Sequence, residues 1–225
     1  MLATPKIARV FSAERLVIAS HNSGKIREMA DLMAPYDITV CPASELGLAE
    51  PEETGTTFMA NAKLKSHAAA TVSDLPAFAD DSGLVVPALG GQPGIYSARW
   101  GGSTRDFYSA MARVKAELTK CGQAPEGANA YFVSALSLCW PDGHCENFEG
   151  EVHGKLSFPP RGENGFGYDP IFLVIDLDRT SAELEPQEKN RLSHRGQALR
   201  QLVEQLRKEY LPHSQNTAQR STGST

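Results

Sequence analysis

Ala79-Asp80-Asp81-Ser82-Gly83 sets two adjacent carboxylates between two apolar segments, residues 75–79 on one side and Leu84-Val85-Val86 on the other. Short apolar runs of this kind read as buried strands. A buried strand has no structural use for two negative charges, because desolvating an unpaired carboxylate costs several kcal/mol even after relaxation. The charges need a counter-charge, and a divalent cation is the most economical one. Asp80-Asp81 therefore reads as a metal or general-base site. The same residues also fit a strand-end turn in which Asp81 and Ser82 close a local bend through Asx-type hydrogen bonds.

Working outward from this pair, residues 77–79 and 84–86 read as two short strands, preceded by an alanine-rich helix that Thr56 or Thr57 caps and that runs to about Ser73. Toward the N-terminus, residues 16–19 form a strand and residues 20–24 a polar turn. A helix from Lys25 places Ile26, Met29, Ala30, Leu32 and Met33 on one face until Pro35 stops it. Residues 38–41 give a second strand, followed by an acidic loop through Gly55. Toward the C-terminus, a loop at 90–94 leads to a helix over 106–118 and a long strand over 130–140. Residues 147–156 return antiparallel across Pro141-Asp142-Gly143. Residues 171–175 form a strand and 197–210 an amphipathic helix. The pattern predicts an α/β fold with a mixed central sheet, folded as two lobes with a cleft between them. One domain over residues 15–211 is expected, with a short extension over 1–14 and a polar, disordered tail over 212–225.

Composition narrows the partners. Twenty-two Lys and Arg stand against 27 Asp and Glu, a net charge of −5, so no general basic surface for nucleic acid is expected. No apolar run approaches the ~20 residues of a membrane span, and the N-terminus has no continuous apolar core of a secretory signal. Cys41, Cys121, Cys139 and Cys145 show no metal-binding spacing, and reduced thiols in a cytoplasmic protein are expected.

Four further stretches carry chemistry, each with a plainer reading beside it. Ser20-His21-Asn22-Ser23-Gly24-Lys25 feeds a helix N-terminus, where the helix dipole, backbone amides and the Lys25 charge suit phosphate. It is not a Walker motif, since Ala19 and Ile26 stand where a glycine and a hydroxyl are required; a capped helix start explains the same residues. Glu50-Pro51-Glu52-Glu53 fits a solvated acidic surface, or Mg²⁺ ligands if it faces Asp80 and Asp81. Asn61 and Lys65, four apart on one helical face, point into the same cleft or simply to solvent. Residues 162–170 combine glycines with Phe166 and Tyr168, which suits base stacking or a tight loop with packed rings. Lys189, His194 and Arg195 read as donors to a base or phosphate, or as solvated charges and caps.

Assembled in order, these stretches resemble the inosine triphosphate pyrophosphatase family, hydrolases that clear deaminated purine nucleoside triphosphates. The resemblance runs over residues 16–210 and rests on S-H-N-S-G-K, E-E-T-G-T-T-F with N-A-K-L-K, A-D-D-S-G-L, L-G-G-Q-P-G-I-Y-S-A-R-W, G-F-G-Y-D-P-I-F and S-H-R-G-Q-A-L. It implies an elongated fold with a cleft between lobes, homodimerisation and dependence on Mg²⁺. By motif, Ser20, Asn22 and Lys25 would hold the triphosphate, within a loop completed by His21, Ser23 and Gly24. Glu52, Glu53 and Asp81 would ligate Mg²⁺ with Asp80 in support, and Asp81 would be the general base. Asn61, Lys65 and Ser82 would touch substrate, and Phe166, Gly167, Tyr168, Asp169, Lys189, His194 and Arg195 would form the base pocket. One departure is Ser20-His21 where many members carry Thr-Gly; the bulkier His21 alters how closely the loop embraces phosphate. The implied reaction converts ITP, dITP and XTP to monophosphate and pyrophosphate. The alternatives are a pyrophosphatase for modified pyrimidine nucleotides and a catalytically silent nucleotide-binding protein.

Overall fold

Period-two alternation along two neighbouring strands decides how the molecule is layered. The computed structural model describes residues 15–34 and 39–210; the predicted extension, the tail, Pro35 and Ile38 lie outside them. In chain order come β1 (Arg15–Ile18), α1 (Ser23–Met33), β2 (Thr39–Pro42), α2 (Phe58–Ser73), β3 (Ala77–Val85), α3 (Phe107–Lys120), β4 (Asn129–Cys139), β5 (Cys145–Leu156), β6 (Phe172–Val174), β7 (Arg179–Thr180), α4 (Pro186–Leu192) and α5 (His194–Tyr210). Among the described residues the seven strands form one sheet in the order β2-β1-β3-β4-β5-β6-β7. β1 runs parallel to β2 and β3, and the remaining pairs are antiparallel. α1 and α2 supply the crossovers that parallel neighbours require. The expected mixed sheet is therefore found.

Leu16, Ile18 and Phe78 pack on one face against Met29 and Met33 of α1 and Leu199 and Leu202 of α5. Val17, Ala77 and Ala79 pack on the other face against Ala69 and Ala70 of α2. Small residues on both sides let α2 approach the sheet closely. A separate core lies further along β3 and β4, where Leu84, Val86 and Phe132 meet Met111 and Val114 of α3 together with Ile171 and Phe172. Asp80 to Gly83 sit between the two cores. The side chain that a residue at 83 would carry has no room, since a Cβ there would lie 2.4 Å from Ser97 Oγ and 2.5 Å from the Gly94 carbonyl oxygen. Glycine lets the 94–97 turn rest on the strand, where Ser97 Oγ accepts a bond from the Leu84 amide at 2.9 Å.

Two expectations are corrected, and two elements are added. The two short strands around the aspartates are one continuous strand, β3, paired with β4 from Ala77 opposite Cys139 to Val85 opposite Tyr131. The strand tolerates its carboxylates because cations from neighbouring helices meet them, so no turn is needed. Cys139 and Cys145 are not reduced but form a disulfide. The turn at 141–143 folds them directly opposite one another in the β4–β5 register, with Cα atoms 4.1 Å apart; Cys41 and Cys121 are free thiols. Finally, α4 and β7 were not foreseen, being too short to show a period.

Candidate active site

The alternation that layers the fold also separates the two aspartates. Asp80 shares the face of Phe78 and turns toward α1 and α5. Lys25 Nζ lies 2.8 Å from its Oδ2 and Arg195 Nη2 3.2 Å, while Ser134 Oγ donates to Oδ1 at 2.5 Å and Ser82 Oγ to Oδ2 at 2.9 Å. Asp81 shares the face of Ala79 and turns toward α2. Lys65 Nζ donates to its Oδ1 at 3.0 Å and Asn61 Nδ2 to its Oδ2 at 3.3 Å. Asn61 and Lys65, four apart on α2, thus meet the same carboxylate, and Asn61 Oδ1 also accepts from the Gly55 amide at 2.8 Å.

Between the two cores opens a cleft of about 470 Å³. Its walls include Ser20, Asn22, Lys25, Glu52, Glu53, Lys65, Asp80, Asp81 and Ser82 at one end and Phe166, Gly167, Tyr168, Asp169, His194 and Arg195 at the other. Lys65 Nζ bridges Asp81 and Glu53, at 2.8 Å from Glu53 Oε1, so an ammonium sits between two carboxylates from different segments. Glu52 lines the cleft without a salt bridge among the described residues. No group of three or more acidic, histidine or cysteine side chains among the described residues forms a ready cage for a metal. A pair of carboxylates around a cation seat nevertheless fits Mg²⁺, which characteristically takes one or two carboxylates and completes its shell with substrate phosphates and water. Asp80, on the opposite face and bonded to Lys25 and Arg195, does not join that pair.

The phosphate-loop residues separate as well. Asn22 caps α1, its Oδ1 accepting from the Gly24 and Lys25 amides at 3.0 and 3.1 Å, and the Asn22 amide donates to Ser20 Oγ. These amides are thus already engaged, which leaves the Lys25 charge and the helix dipole to meet an anion. His21 and Ser23 are outside the cleft wall, and Gly24 is buried under Phe166, whose ring a Cβ at 24 would approach to 2.8 Å.

At the far end Tyr168 belongs to the core: its hydroxyl donates to the Ser97 carbonyl at 2.8 Å and its ring meets Phe107 edge-on at 5.5 Å. Phe166 lines the cleft, as do Phe107 and Phe132, and its ring lies 5.1 Å from Lys189 Nζ and 5.5 Å from the Arg195 guanidinium carbon. His194 is buried and stacked on Phe132 at 4.8 Å. Lys189 Nζ is committed to Glu28 at 2.5 Å and to Asp169 at 2.7 Å, and Asp169 also accepts from the Phe166 amide. Arg195 binds Glu28, Asp80 and Ser82 through its terminal nitrogens, while its Nε–H is buried and has no partner among the described residues.

A family model described as the Ham1 family matches residues 16–205. The chain belongs to the Ham1 family. It is 56% identical over 195 residues to the dITP/XTP pyrophosphatase of Rhodospirillum centenum, covering 87% of this chain and 96% of that protein. The dITP/XTP pyrophosphatase of Rhodopseudomonas palustris is 54% identical over 84% of this chain and 94% of its own length. Among solved structures, a HAM1 protein from Coxiella burnetii superimposes with a TM-score of 0.78 at 40% identity, covering 86% of this chain and 98% of that one. The resemblance read from the six motifs is borne out.

Glu28 is one component of this Ham1 site that sequence reading missed. It bridges Lys189 and Arg195 and so links α1 to both α4 and α5. Its one local signal is its place three residues after Lys25, one helical turn from the cleft. Burial raises the Glu28 carboxyl, but the Arg195 and Lys189 charges outweigh it and hold it below its ordinary 4.5. For a depressed carboxylate the stability gained is complete above the unfolded value and is lost as pH falls through the folded one. The urea midpoint should therefore drop as the protein is acidified below pH 4.5. Glu28→Gln should be less stable at neutral pH and show a shallower acid slope; equal slopes in both proteins would remove Glu28 from the acid response. Arg99, which donates to Glu53 Oε2 at 3.2 Å, and Arg105 add cations to the cleft that carried no expectation.

Proposed function

We propose that this chain is a Mg²⁺-dependent nucleoside triphosphate pyrophosphatase that hydrolyses ITP, dITP and XTP to the monophosphate and pyrophosphate. The observation that carries the reading is one cleft with two chemistries: the Glu53–Lys65–Asp81 bridge beside Lys25 at one end, and Phe166 beside the Arg195 guanidinium at the other. The names of the relatives agree with it. Glu53 and Asp81 would hold the metal, with Glu52 beside them, and Mg²⁺ when bound neutralises phosphate charge and acidifies water.

Asp81 accepts a proton from the attacking water as the water oxygen bonds to the α-phosphorus. The bond from that phosphorus to the bridging oxygen breaks, and the electron pair leaves with pyrophosphate, whose charge Lys25 meets. Phe166 stacks on the purine. Arg195, whose guanidinium carries only donors, suits the 6-oxo oxygen of hypoxanthine or xanthine. Adenine would present an amino donor to that donor, leaving a buried group unpaired at about 1–3 kcal/mol.

The purified protein should release pyrophosphate and monophosphate from ITP and XTP with Mg²⁺, none with EDTA, and leave ATP nearly untouched; guanine shares the 6-oxo group, so rejection of GTP would rest on its 2-amino group. Orthophosphate release, a preference for dUTP, or binding without turnover would each overturn the proposal. The reading includes a homodimer acting on the cytoplasmic nucleotide pool; light scattering at the mass of one chain would remove the dimer. A disulfide is unusual in that compartment, so alkylation of the protein as it leaves the cell tests Cys139–Cys145 and the location together.

A further inference from the structure

We infer that His21 is a positioning residue that clasps the acidic segment, residues 48–53, onto the phosphate loop. His21 stands between Ser20 and Asn22, which both line the cleft, yet its own ring turns away from it. Its Nε2 lies 3.1 Å from the Leu48 carbonyl oxygen and its Nδ1 3.7 Å from Glu50 Oε2. A carbonyl only accepts, so Nε2 carries the proton and donates. The bulk of His21 is thus spent on the neighbouring loop and does not obstruct phosphate.

The two sides of this contact differ in how firmly they are held. The loop bearing His21 is fixed by the Asn22 cap and the bond from the Asn22 amide to Ser20 Oγ. The acidic segment has no regular structure after Gly47. At its start the Leu48 amide donates to the Ala43 carbonyl at 3.0 Å, and at its end Glu53 is held by Lys65 and Arg99. Between these ends, His21 provides the polar link to the phosphate loop among the described residues. Holding the Leu48 carbonyl sets where Glu52 and Glu53 stand relative to Asp81. A glycine at 21, as in the Thr-Gly form, has no side chain to make this tie.

The test is amide hydrogen exchange on the full chain without nucleotide or metal. His21→Ala should speed exchange several-fold at the Gly47 and Leu48 amides, which donate to the Ser44 and Ala43 carbonyls, with β3 and α2 unchanged. His21→Gln, whose side-chain amide also donates to a carbonyl, should restore protection. In turnover, and resting here on the proposed function, His21→Ala should raise KM for the Mg²⁺–nucleotide several-fold and lower kcat much less. Unchanged exchange in the alanine variant, a glutamine variant as fast as alanine, or faster exchange spread over the whole chain would each overturn the role. The exchange result does not depend on activity, so it separates this inference from the reaction itself.

Discussion

Asp81→Asn is expected to lower kcat by about 10²–10⁴-fold, the range for loss of a general base, while costing less stability than Asp80→Asn, since it removes a penalised buried charge along with the Lys65 ion pair. Burial, with Glu53 beside it, raises the Asp81 carboxyl above its ordinary value despite the Lys65 and Lys25 charges. An acid whose folded value is raised binds its proton more tightly in the folded state, so its ionised form at neutral pH costs stability. Asparagine removes that cost and keeps the shape. Asp80 predicts the reverse. Burial would raise it, but Arg195, Lys25 and the Ser134 bond hold it well below its ordinary 3.8, so its ionised form stabilises the fold above that pH. Asp80→Asn should therefore melt lower than the neighbouring substitution. Near-parental turnover in Asp81→Asn, or a lower melting temperature for it than for Asp80→Asn, would contradict these assignments.

Arg195→Met is expected to cost about 3–5 kcal/mol, because it leaves Asp80 and Glu28 as buried carboxylates short of a cation. Arg195 is 2% exposed and ties α5 to β3 and to α1. Adding Asp80→Asn should recover part of the loss, a coupling that a double-mutant cycle in urea measures directly. Arg195→Lys separates stability from selection. Lysine keeps the charge but lacks the rigid fork of donors, so this variant should fold and yet discriminate ITP from ATP less well. A methionine variant as stable as the parent, or an unchanged preference in the lysine variant, would contradict the role of Arg195.

The residues differ in how far their partners could be foreseen. β1, α1 and the Thr57 cap of α2 were legible because their signals are local: a short apolar run, a 3.6-residue stripe, a hydroxyl before an alanine-rich segment. The Asp80-Asp81 pair announced a charged site, and alternation already implies that neighbouring side chains face opposite ways. What it could not announce is that Asp80 meets Arg195, 115 residues away. Glu28 escaped notice for the same reason, since its cations lie 161 and 167 residues later in the chain. Tyr168 and Phe166 look equivalent in G-F-G-Y-D-P; only packing shows that one ring fills the core and the other faces the cleft. The Cys139–Cys145 bridge followed from the register of a hairpin whose turn had been foreseen but whose opposite residues had not been counted.

Turnover of ITP in H₂¹⁸O, with mass analysis of both products, tests most directly the claim that this cleft sends water to the α-phosphorus. The account predicts one ¹⁸O in inosine monophosphate and none in pyrophosphate. Label in pyrophosphate, or release of labelled orthophosphate, would contradict it.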